Sequence, residues 1–263
     1  METSQRHRGE ASRTVQDRLP ERLPPHPPLA RYYADEQERQ RQVSRWFDES
    51  AARYDFITQA MSFGSGNRYR QQALLQAGLA EGMSLLDIAC GTGVLAAHAQ
   101  SIVGVRGFVV GLDPSPGMLR EARGRGVLKL VRGVAESLPL ESERFDLLSM
   151  GYALRHVSDL RATFGEYRRV LRPGGKVLIL EISRPRYRFM FRLLKLYLGC
   201  MVPWFARLGR RGRGARELMK YYWDTIEYCV APEVILAALQ EAGFSGVERH
   251  VTMGFLSLYT GVR

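Results

Sequence analysis

Short apolar runs alternate with amphipathic segments through the middle of the chain. Runs typical of buried strands are Ser84–Ile88, Phe108–Leu112, Leu128–Val131, Phe145–Met150 and Lys176–Ile182. Runs with helical spacing lie between or after them, at Val94–Val103, Ser115–Arg123, Asp159–Leu171 and Ala231–Ala242. Two further strand-like runs, Val247–Val251 and Phe255–Val262, predict a closing antiparallel hairpin. This alternation indicates an α/β fold, a doubly wound and mostly parallel sheet of seven strands with helices on both faces.

The pattern changes on both sides of this alternation. Residues 1–42 crowd prolines among charges, and we expect a disordered tail because such a segment buries little apolar surface. The domain then spans residues 43–263. Its first part, 43–80, predicts amphipathic helices that either pack as ordinary helices or form a lid over a ligand. Residues 185–230 join an aromatic-aliphatic run to an arginine cluster, typical of a surface helix or of an insertion that shapes an apolar pocket or rests on a membrane.

Composition narrows the function classes. The formal net charge of +11 is compatible with nucleic acid, an anionic membrane or an acidic ligand. Without a basic-aromatic repeat or a zinc pattern, we expect no nucleic-acid partner and no metal. Three dispersed cysteines and the lack of an apolar signal segment indicate a reducing, cytoplasmic location, with membrane association left open. The sequence leaves the choice between monomer and homodimer open as well.

The stretch from Leu85 to Gly93 is the strongest candidate site. A buried strand ends at Asp87, Gly91 and Gly93 follow, and a helix begins at Val94. Glycines allow a sharp turn and a close approach of a ligand to the backbone, and the N–H groups at the helix start point into the same space. A second acid, Asp113, ends the next strand. The pattern predicts a nucleoside-cofactor site in which Asp113 accepts hydrogen bonds from ribose hydroxyls.

The identity of the cofactor depends on Asp87. The spacing Gly91-x-Gly93-x-x-Ala96 fits the dinucleotide fingerprint, but a single match of that kind is weak. An acid just ahead of the glycines would repel a pyrophosphate, whereas it suits an α-amino or sulfonium group. We therefore expect S-adenosylmethionine rather than NAD.

Further motifs give the site a family resemblance. Leu86-Asp87-x-x-Cys90-Gly91-Thr92-Gly93, Asp113-x-Ser115-x-x-Met118-Leu119, Ala135-Glu136-x-Leu138-Pro139 and Leu171-Arg172-Pro173-Gly174-Gly175 together resemble the class I methyltransferases. The segments Tyr54-Asp55-x-x-x-x-x-Met61-Ser62-Phe63-Gly64 and Leu154-Arg155-His156-Val157-Ser158-Asp159 resemble their ubiquinone/menaquinone-biosynthesis C-methyltransferases. The resemblance covers roughly residues 43–263. It implies a Rossmann-like fold and an enzyme that uses S-adenosylmethionine to C-methylate a lipophilic quinol or phenol.

The resemblance also extends the site. The implied cofactor-binding set is Asp87, Ala89, Gly91, Thr92, Gly93, Asp113, Met118, Val134, Ala135 and Gly151. Val134 stands where the family usually has a polar residue that reads the adenine amino group, although the N–H of Ala135 could still contact the ring. Gly151 replaces a usual serine and His156 a usual asparagine, and both departures concern the acceptor rather than the reaction class.

Three side chains are candidates for catalysis. Arg155 and His156 follow the fourth strand at its carboxyl end, where open α/β sheets bind ligands. Arg155 could stabilise a phenolate and His156 could move a proton, but an ordinary ion pair and a hydrogen-bonded loop residue are the alternatives. Tyr54 is a weaker candidate from the N-terminal helices. An O- or N-methyltransferase acting on a phenolic compound or a phospholipid amine, and a non-catalytic protein with this fold, are the competing functions.

Overall fold

Seven strands form one sheet in the computed structural model, which describes residues 22–61, 65–202 and 212–263. They are β1 (Ser84–Ile88), β2 (Phe108–Asp113), β3 (Lys129–Arg132), β4 (Phe145–Gly151), β5 (Leu171–Ile182), β6 (Ser245–Thr252) and β7 (Leu256–Val262). Their order is β3-β2-β1-β4-β5-β7-β6. Strands β1 to β5 are parallel, and β7 runs antiparallel to both β5 and β6. The predicted doubly wound sheet with its closing hairpin is confirmed.

Helices cover this sheet and extend beyond it. They are α1 (Glu36–Met61), α2 (Gly66–Gln76), α3 (Val94–Val103), α4 (Pro116–Gly124), α5 (Leu160–Val170), α6 (Arg188–Leu194), α7 (Gly212–Glu227) and α8 (Pro232–Glu241). A 3-10 turn spans Leu154–His156, and a π-helical segment, Lys195–Met201, continues directly from α6. Side-chain caps fix the first residues of two helices. At α4 the Ser115 hydroxyl accepts a hydrogen bond from the Met118 N–H, and at α5 the Asp159 carboxylate accepts one from the Arg161 N–H.

Two apolar cores hold the sheet between its helices. One contains Leu86, Ile88 and Leu148 with Phe164 of α5, and the other contains Leu85 and side chains of α3. Because successive strand residues face opposite sides, a strand covered on both sides is buried throughout, as all five residues of β1 are. Strand β5 begins five residues before the predicted Lys176, with a register shift opposite β4.

The expected tail boundary at residue 42 differs from the structure. Helix α1 already begins at Glu36, and the preceding segment packs on the domain through the buried Leu29 and Tyr33. Its backbone is also bound, because the carbonyl of Leu23 accepts from the N–H of Leu160 at 2.8 Å. Prolines lose less chain entropy on ordering than other residues do, which favours packing of this segment, residues 22–35. We call it the N-terminal strap. The remaining residues of the predicted tail, 1–21, lie outside the described residues.

A third apolar cluster joins the N-terminal part of the chain to the helices between β5 and β6. Side chains of the N-terminal strap, the α6–π segment and α7 pack together, among them Tyr33, Leu198 and Tyr222, and α1 adds Trp46 and Phe47. We call this assembly the cap. The predicted lid (43–80) and insertion (185–230) therefore share one core. Residues 62–64 and 203–211, with parts of the Tyr54 motif and of the arginine cluster, lie outside the described residues. No helix in the described ranges is long and apolar enough to cross a membrane.

Candidate active site

The turn between β1 and α3 has the open backbone that the sequence predicts. Ala89, Gly91 and Gly93 all have positive φ, at 51°, 55° and 78°. A Cβ built on Gly91 meets nothing within 4 Å, whereas one on Gly93 would lie 2.8 Å from Val127 Cγ2 and 3.0 Å from Ala122 Cβ. Gly91 thus leaves space for a ligand, and Gly93 allows α3 to pack closely.

Asp87 presents an unpaired carboxylate oxygen beside this turn. The Ser149 hydroxyl donates to Oδ1 at 2.7 Å, while Oδ2 is buried and has no hydrogen-bond partner among the described residues. Burial raises the pKa of Asp87 to about 7. A buried carboxylate with a free oxygen is stabilised by a cationic partner. This position therefore fits the α-amino group expected of S-adenosylmethionine.

Asp113 shapes the other side of the turn. Its Oδ2 accepts from the Gly91 N–H at 2.8 Å and its Oδ1 from the Ser115 N–H at 2.9 Å. Each carboxylate oxygen has two lone pairs, so one on each oxygen remains for ribose hydroxyls. Burial raises the pKa of Asp113 to about 6. Nearby, burial also raises the pKa of the Cys90 thiol, which supports packing rather than nucleophilic chemistry for Cys90.

One large cavity brings nine of the ten predicted cofactor residues together, and Gly93 is not among the described residues that line it. It has a volume of about 1790 Å³ and a mostly apolar lining. The predicted residues along its wall are Asp87, Ala89, Gly91, Thr92, Asp113, Met118, Val134, Ala135 and Gly151. Val134 is 43% exposed, so its side chain is available to a ligand but offers no hydrogen bond. From this end the cavity continues along aliphatic side chains of the α6–π segment to Leu193 and Met201. Ligand pockets are usually smaller than this, so there is room for a cofactor and an apolar acceptor.

Helix α1 is fixed across the cofactor end by two acids, one of which sequence reasoning missed. Asp48 accepts from the Ser115 hydroxyl at 2.5 Å and from the Gly117 N–H at 2.7 Å. Asp55 accepts from the Thr92 hydroxyl at 2.5 Å and pairs with Arg125. Asp48 lies on a helix with no local sign of its partner 67 residues away. Thr92, predicted to bind cofactor, lines the cavity, and its hydroxyl holds α1 through Asp55.

Arg155 lies behind the cavity wall. Its buried guanidinium pairs with Glu181, donates from Nε to the Thr225 hydroxyl at 3.1 Å and lies 3.9 Å from the ring centroid of Tyr222. Tyr222 lines the cavity, and Arg155 is absent from the described lining. This geometry corresponds to the ion-pair alternative, so any effect of Arg155 on a ligand is electrostatic, exerted through its neighbours.

His156 and Tyr54 do line the cavity. The His156 ring stacks on Tyr221 at 5.5 Å between ring centroids, and neither ring nitrogen has a partner in the described part of the chain. Burial and the charge of Arg155 lower the pKa of His156 well below 6.5, so the ring is neutral. Burial raises the pKa of Tyr54, which keeps its phenol protonated. Tyr152, which the sequence analysis does not identify, also lines the cavity. The Cζ atom of Arg70 lies 5.1 Å from the centroid of its ring.

Comparisons with solved structures show the fold. A methyltransferase from Thermotoga maritima, titled a possible histamine N-methyltransferase, matches with a TM-score of 0.59 and 20% identity over 83% of this chain and 98% of its own. Phosphoethanolamine N-methyltransferase 2 of Haemonchus contortus, solved with S-adenosyl-L-methionine, matches with a TM-score of 0.57 and 18% identity, covering 82% of this chain and 57% of the other.

Proteins found by sequence comparison are more similar to this chain in sequence than these structures are. A ubiquinone/menaquinone biosynthesis C-methyltransferase of Shewanella woodyi is 32% identical over 229 residues, which cover 84% of this chain and 90% of that protein. The corresponding protein of Shewanella oneidensis gives the same identity and coverage. A family model described as the ubiE/COQ5 methyltransferase family matches residues 34–263. The protein is thus an S-adenosylmethionine-dependent methyltransferase, and it belongs to the ubiE/COQ5 methyltransferase family.

Proposed function

We propose that the enzyme methylates a ring carbon of an apolar quinol or phenol, as in ubiquinone and menaquinone biosynthesis. The observation that carries the proposal is the shape of the cavity, which joins the Asp87–Gly93 turn to a wall of aliphatic side chains in the α6–π segment. An acceptor with a long apolar substituent would lay that substituent along this wall. A water-soluble acceptor would leave most of the wall without a partner.

S-adenosylmethionine would occupy the end of the cavity beside the glycine turn. Asp87 would hold the α-amino group, Asp113 the ribose hydroxyls, and Val134 and Ala135 the adenine. S-adenosylmethionine supplies an electrophilic methyl group with a good leaving group. The protein therefore has to position the acceptor and exclude water, both of which the cap over the cavity can do.

His156 and Tyr54 suit the acceptor hydroxyl. A ring carbon becomes nucleophilic when its neighbouring hydroxyl shares or loses its proton, and general-base help is typically worth about 10²–10⁴-fold. Neutral His156, with both ring nitrogens free of protein partners among the described residues, can accept that proton or a hydrogen bond from it. The positive charge of Arg155 next to His156 favours the phenolate and disfavours a protonated imidazole. His156 would then accept a hydrogen bond from the hydroxyl. The ring carbon would form its bond to the methyl group as the sulfur–methyl bond breaks and S-adenosylhomocysteine leaves. The methylated carbon would then lose its proton to solvent, which restores the aromatic ring.

His156 also favours the main alternative, methylation of oxygen. The same base beside a phenolic hydroxyl would activate the oxygen if the acceptor bound with that oxygen towards the methyl group. N-methylation of a phospholipid amine differs, because it needs no phenol at all. The position of the new methyl group therefore separates the candidates.

A labelling experiment tests the proposal. The full chain is incubated with S-adenosylmethionine carrying a deuterated methyl group and, in parallel, with a prenylated demethyl-quinol, an unprenylated phenol and phosphatidylethanolamine. We expect label on a ring carbon of the prenylated quinol, located by nuclear magnetic resonance and mass spectrometry. Asp87→Ala is the inactive control. Label on oxygen or nitrogen, or turnover with the amine alone, would contradict the proposal.

A further inference from the structure

The outer surface of the α6–π segment is unusually apolar. Phe189, Leu193 and Leu196 are 77%, 50% and 55% exposed and lie three or four residues apart, so they form one stripe along the helix. Tyr187, 75% exposed, stands just before the helix. The opposite side of the same segment is buried in the cap. A contiguous exposed stripe of this kind marks an interaction surface more often than isolated apolar residues do.

Basic side chains border this stripe. Arg186, Arg188 and Arg192 are exposed and interleave with Tyr187 and Phe189 along the chain. Aromatic and aliphatic side chains flanked by arginines are typical of helices that lie in the interface of a bilayer, where rings enter the headgroup region and cations meet anionic lipids. The formal net charge of +11 acts in the same direction.

The stripe is continuous with the mouth of the cavity. Leu193, Leu196 and Met201 are exposed at one side and line the cavity at another. Met253 in the β6–β7 turn is also both exposed and part of the cavity lining. A surface that docks at the stripe would therefore face the opening that an apolar acceptor has to pass.

We propose that the α6–π stripe docks on an anionic phospholipid bilayer and aligns the mouth of the cavity with the membrane. This inference deepens the proposed function and rests on it for its purpose, since a prenylated acceptor dissolved in the membrane would pass directly from lipid to cavity. The docking itself does not depend on the acceptor. Tyr187, Phe189 and the flanking arginines carry the contact, and the cavity-lining leucines extend it inwards.

Vesicle flotation of the full chain tests the docking without any acceptor. Vesicles of phosphatidylglycerol with phosphatidylcholine are compared with vesicles of phosphatidylcholine alone. We expect binding to the anionic vesicles, weakened by added salt. Arg188→Gln with Arg192→Gln should lower partitioning about 25-fold, because each charge near an anionic surface is worth about fivefold. Tyr187→Ser with Phe189→Ser should lower it about tenfold or more through loss of apolar insertion.

A matched control removes similar side chains elsewhere. Leu128→Ser with Arg123→Gln changes an exposed apolar and an exposed basic residue near the β3 edge of the sheet and should leave vesicle binding unchanged. Binding of S-adenosylhomocysteine, measured by calorimetry, shows that each variant is folded. The docking is refuted if the parent protein does not float with anionic vesicles, or if the control pair weakens flotation as much as the stripe variants do. Docking without methylation of a quinol would refute the proposed function and leave the membrane surface standing.

Discussion

The hydroxyl of Thr92 donates to the carboxylate of Asp55 at 2.5 Å, which ties the glycine turn to helix α1. Arg125 strengthens the connection, because it pairs with Asp55 and donates from Nε to the Thr92 carbonyl at 2.9 Å. The position of the turn and the position of helix α1, which covers it, are therefore coupled. A change in this contact acts on both the shape of the cofactor site and its closure.

Breaking the contact should weaken cofactor binding. Thr92→Val removes the donor while keeping the shape of the side chain, and a hydrogen bond to a charged group is worth about 1.5–3 kcal/mol. We expect S-adenosylhomocysteine to bind about tenfold more weakly by calorimetry, with faster dissociation. Glu81→Gln, which breaks an exposed ion pair with Arg106, is the control and should have no effect. Unchanged binding by Thr92→Val would show that α1 closes independently of the turn.

Cofactor binding should depend on pH through Asp87. Its pKa is about 7 in the free protein, and a bound ammonium group would lower it, so binding near pH 7 releases a proton. We expect affinity for S-adenosylhomocysteine to fall as pH falls below about 7, by at most tenfold per pH unit. Calorimetry in buffers of different ionisation enthalpy measures the released proton. In Asp87→Asn the binding should be weak and should no longer change between about pH 7 and pH 8, where Asp113, with a pKa of about 6, is already ionised.

The same carboxyl destabilises the free protein. Because the pKa of folded Asp87 lies above the value of about 3.9 in an unfolded chain, its contribution favours folding at low pH and is lost as pH rises through 7. Asp87→Asn should therefore raise the free energy of unfolding at about pH 8 by up to about 4 kcal/mol. Binding and stability then move in opposite directions, as expected for a site prepared for a cation.

Much of this site can be predicted from local sequence patterns. The rest depends on contacts between residues that lie far apart along the chain, which no local pattern reveals. Asp87, Gly91, Gly93 and Asp113 are recognisable because a strand, a turn and a helix start are local patterns. The partners of Asp48 and Arg155 are not, since Ser115 and Glu181 are brought to them only by packing.

The start of the cap also depends on contacts that local sequence cannot predict. Prolines and charges around Pro25 predict disorder, yet a carbonyl in this strap accepts from the Val230 N–H at 2.8 Å. The shared core of α1, the α6–π segment and α7 provides the apolar partners that the strap cannot provide for itself. Composition measures what a segment can bury alone, and it contains no information about a surface offered by distant parts of the chain such as the α6–π segment and α7.

Val134 should limit affinity for the adenine end of the cofactor. Val134→Asn would introduce the polar group that the family resemblance leads us to expect there, and one hydrogen bond is worth about 0.5–1.5 kcal/mol. We expect S-adenosylhomocysteine to bind about two- to tenfold more tightly in a calorimetric titration. Val134→Ala, which opens the same space without a hydrogen-bonding group, should bring no gain. Equal affinity in both variants would mean that Val134 does not face the adenine.

Arg155 and Glu181 form a pair whose structural and electrostatic roles can be separated. Removing one partner leaves an uncompensated buried charge, so Glu181→Gln should cost about 3–5 kcal/mol of unfolding free energy. Replacing both, as in Arg155→Met with Glu181→Met, should restore most of that stability. If the double variant is stable and binds cofactor but has a much lower kcat, the positive charge serves methyl transfer. Full activity in the double variant would make the pair purely structural.

His156 should reveal its role through two different pH dependences. Because its folded pKa lies well below 6.5, the unfolded chain binds more protons at acidic pH, and stability is lost as pH falls through 6.5. His156→Phe keeps an aromatic ring beside Tyr221 but cannot bind a proton. It should therefore raise the free energy of unfolding at about pH 5 relative to its value at about pH 8. If neutral His156 polarises the acceptor hydroxyl, the same variant should lower kcat about 10²-fold at both pH values, with the affinity for S-adenosylhomocysteine unchanged. A gain of acid stability with normal kcat would leave His156 as a packing residue, stacked on Tyr221.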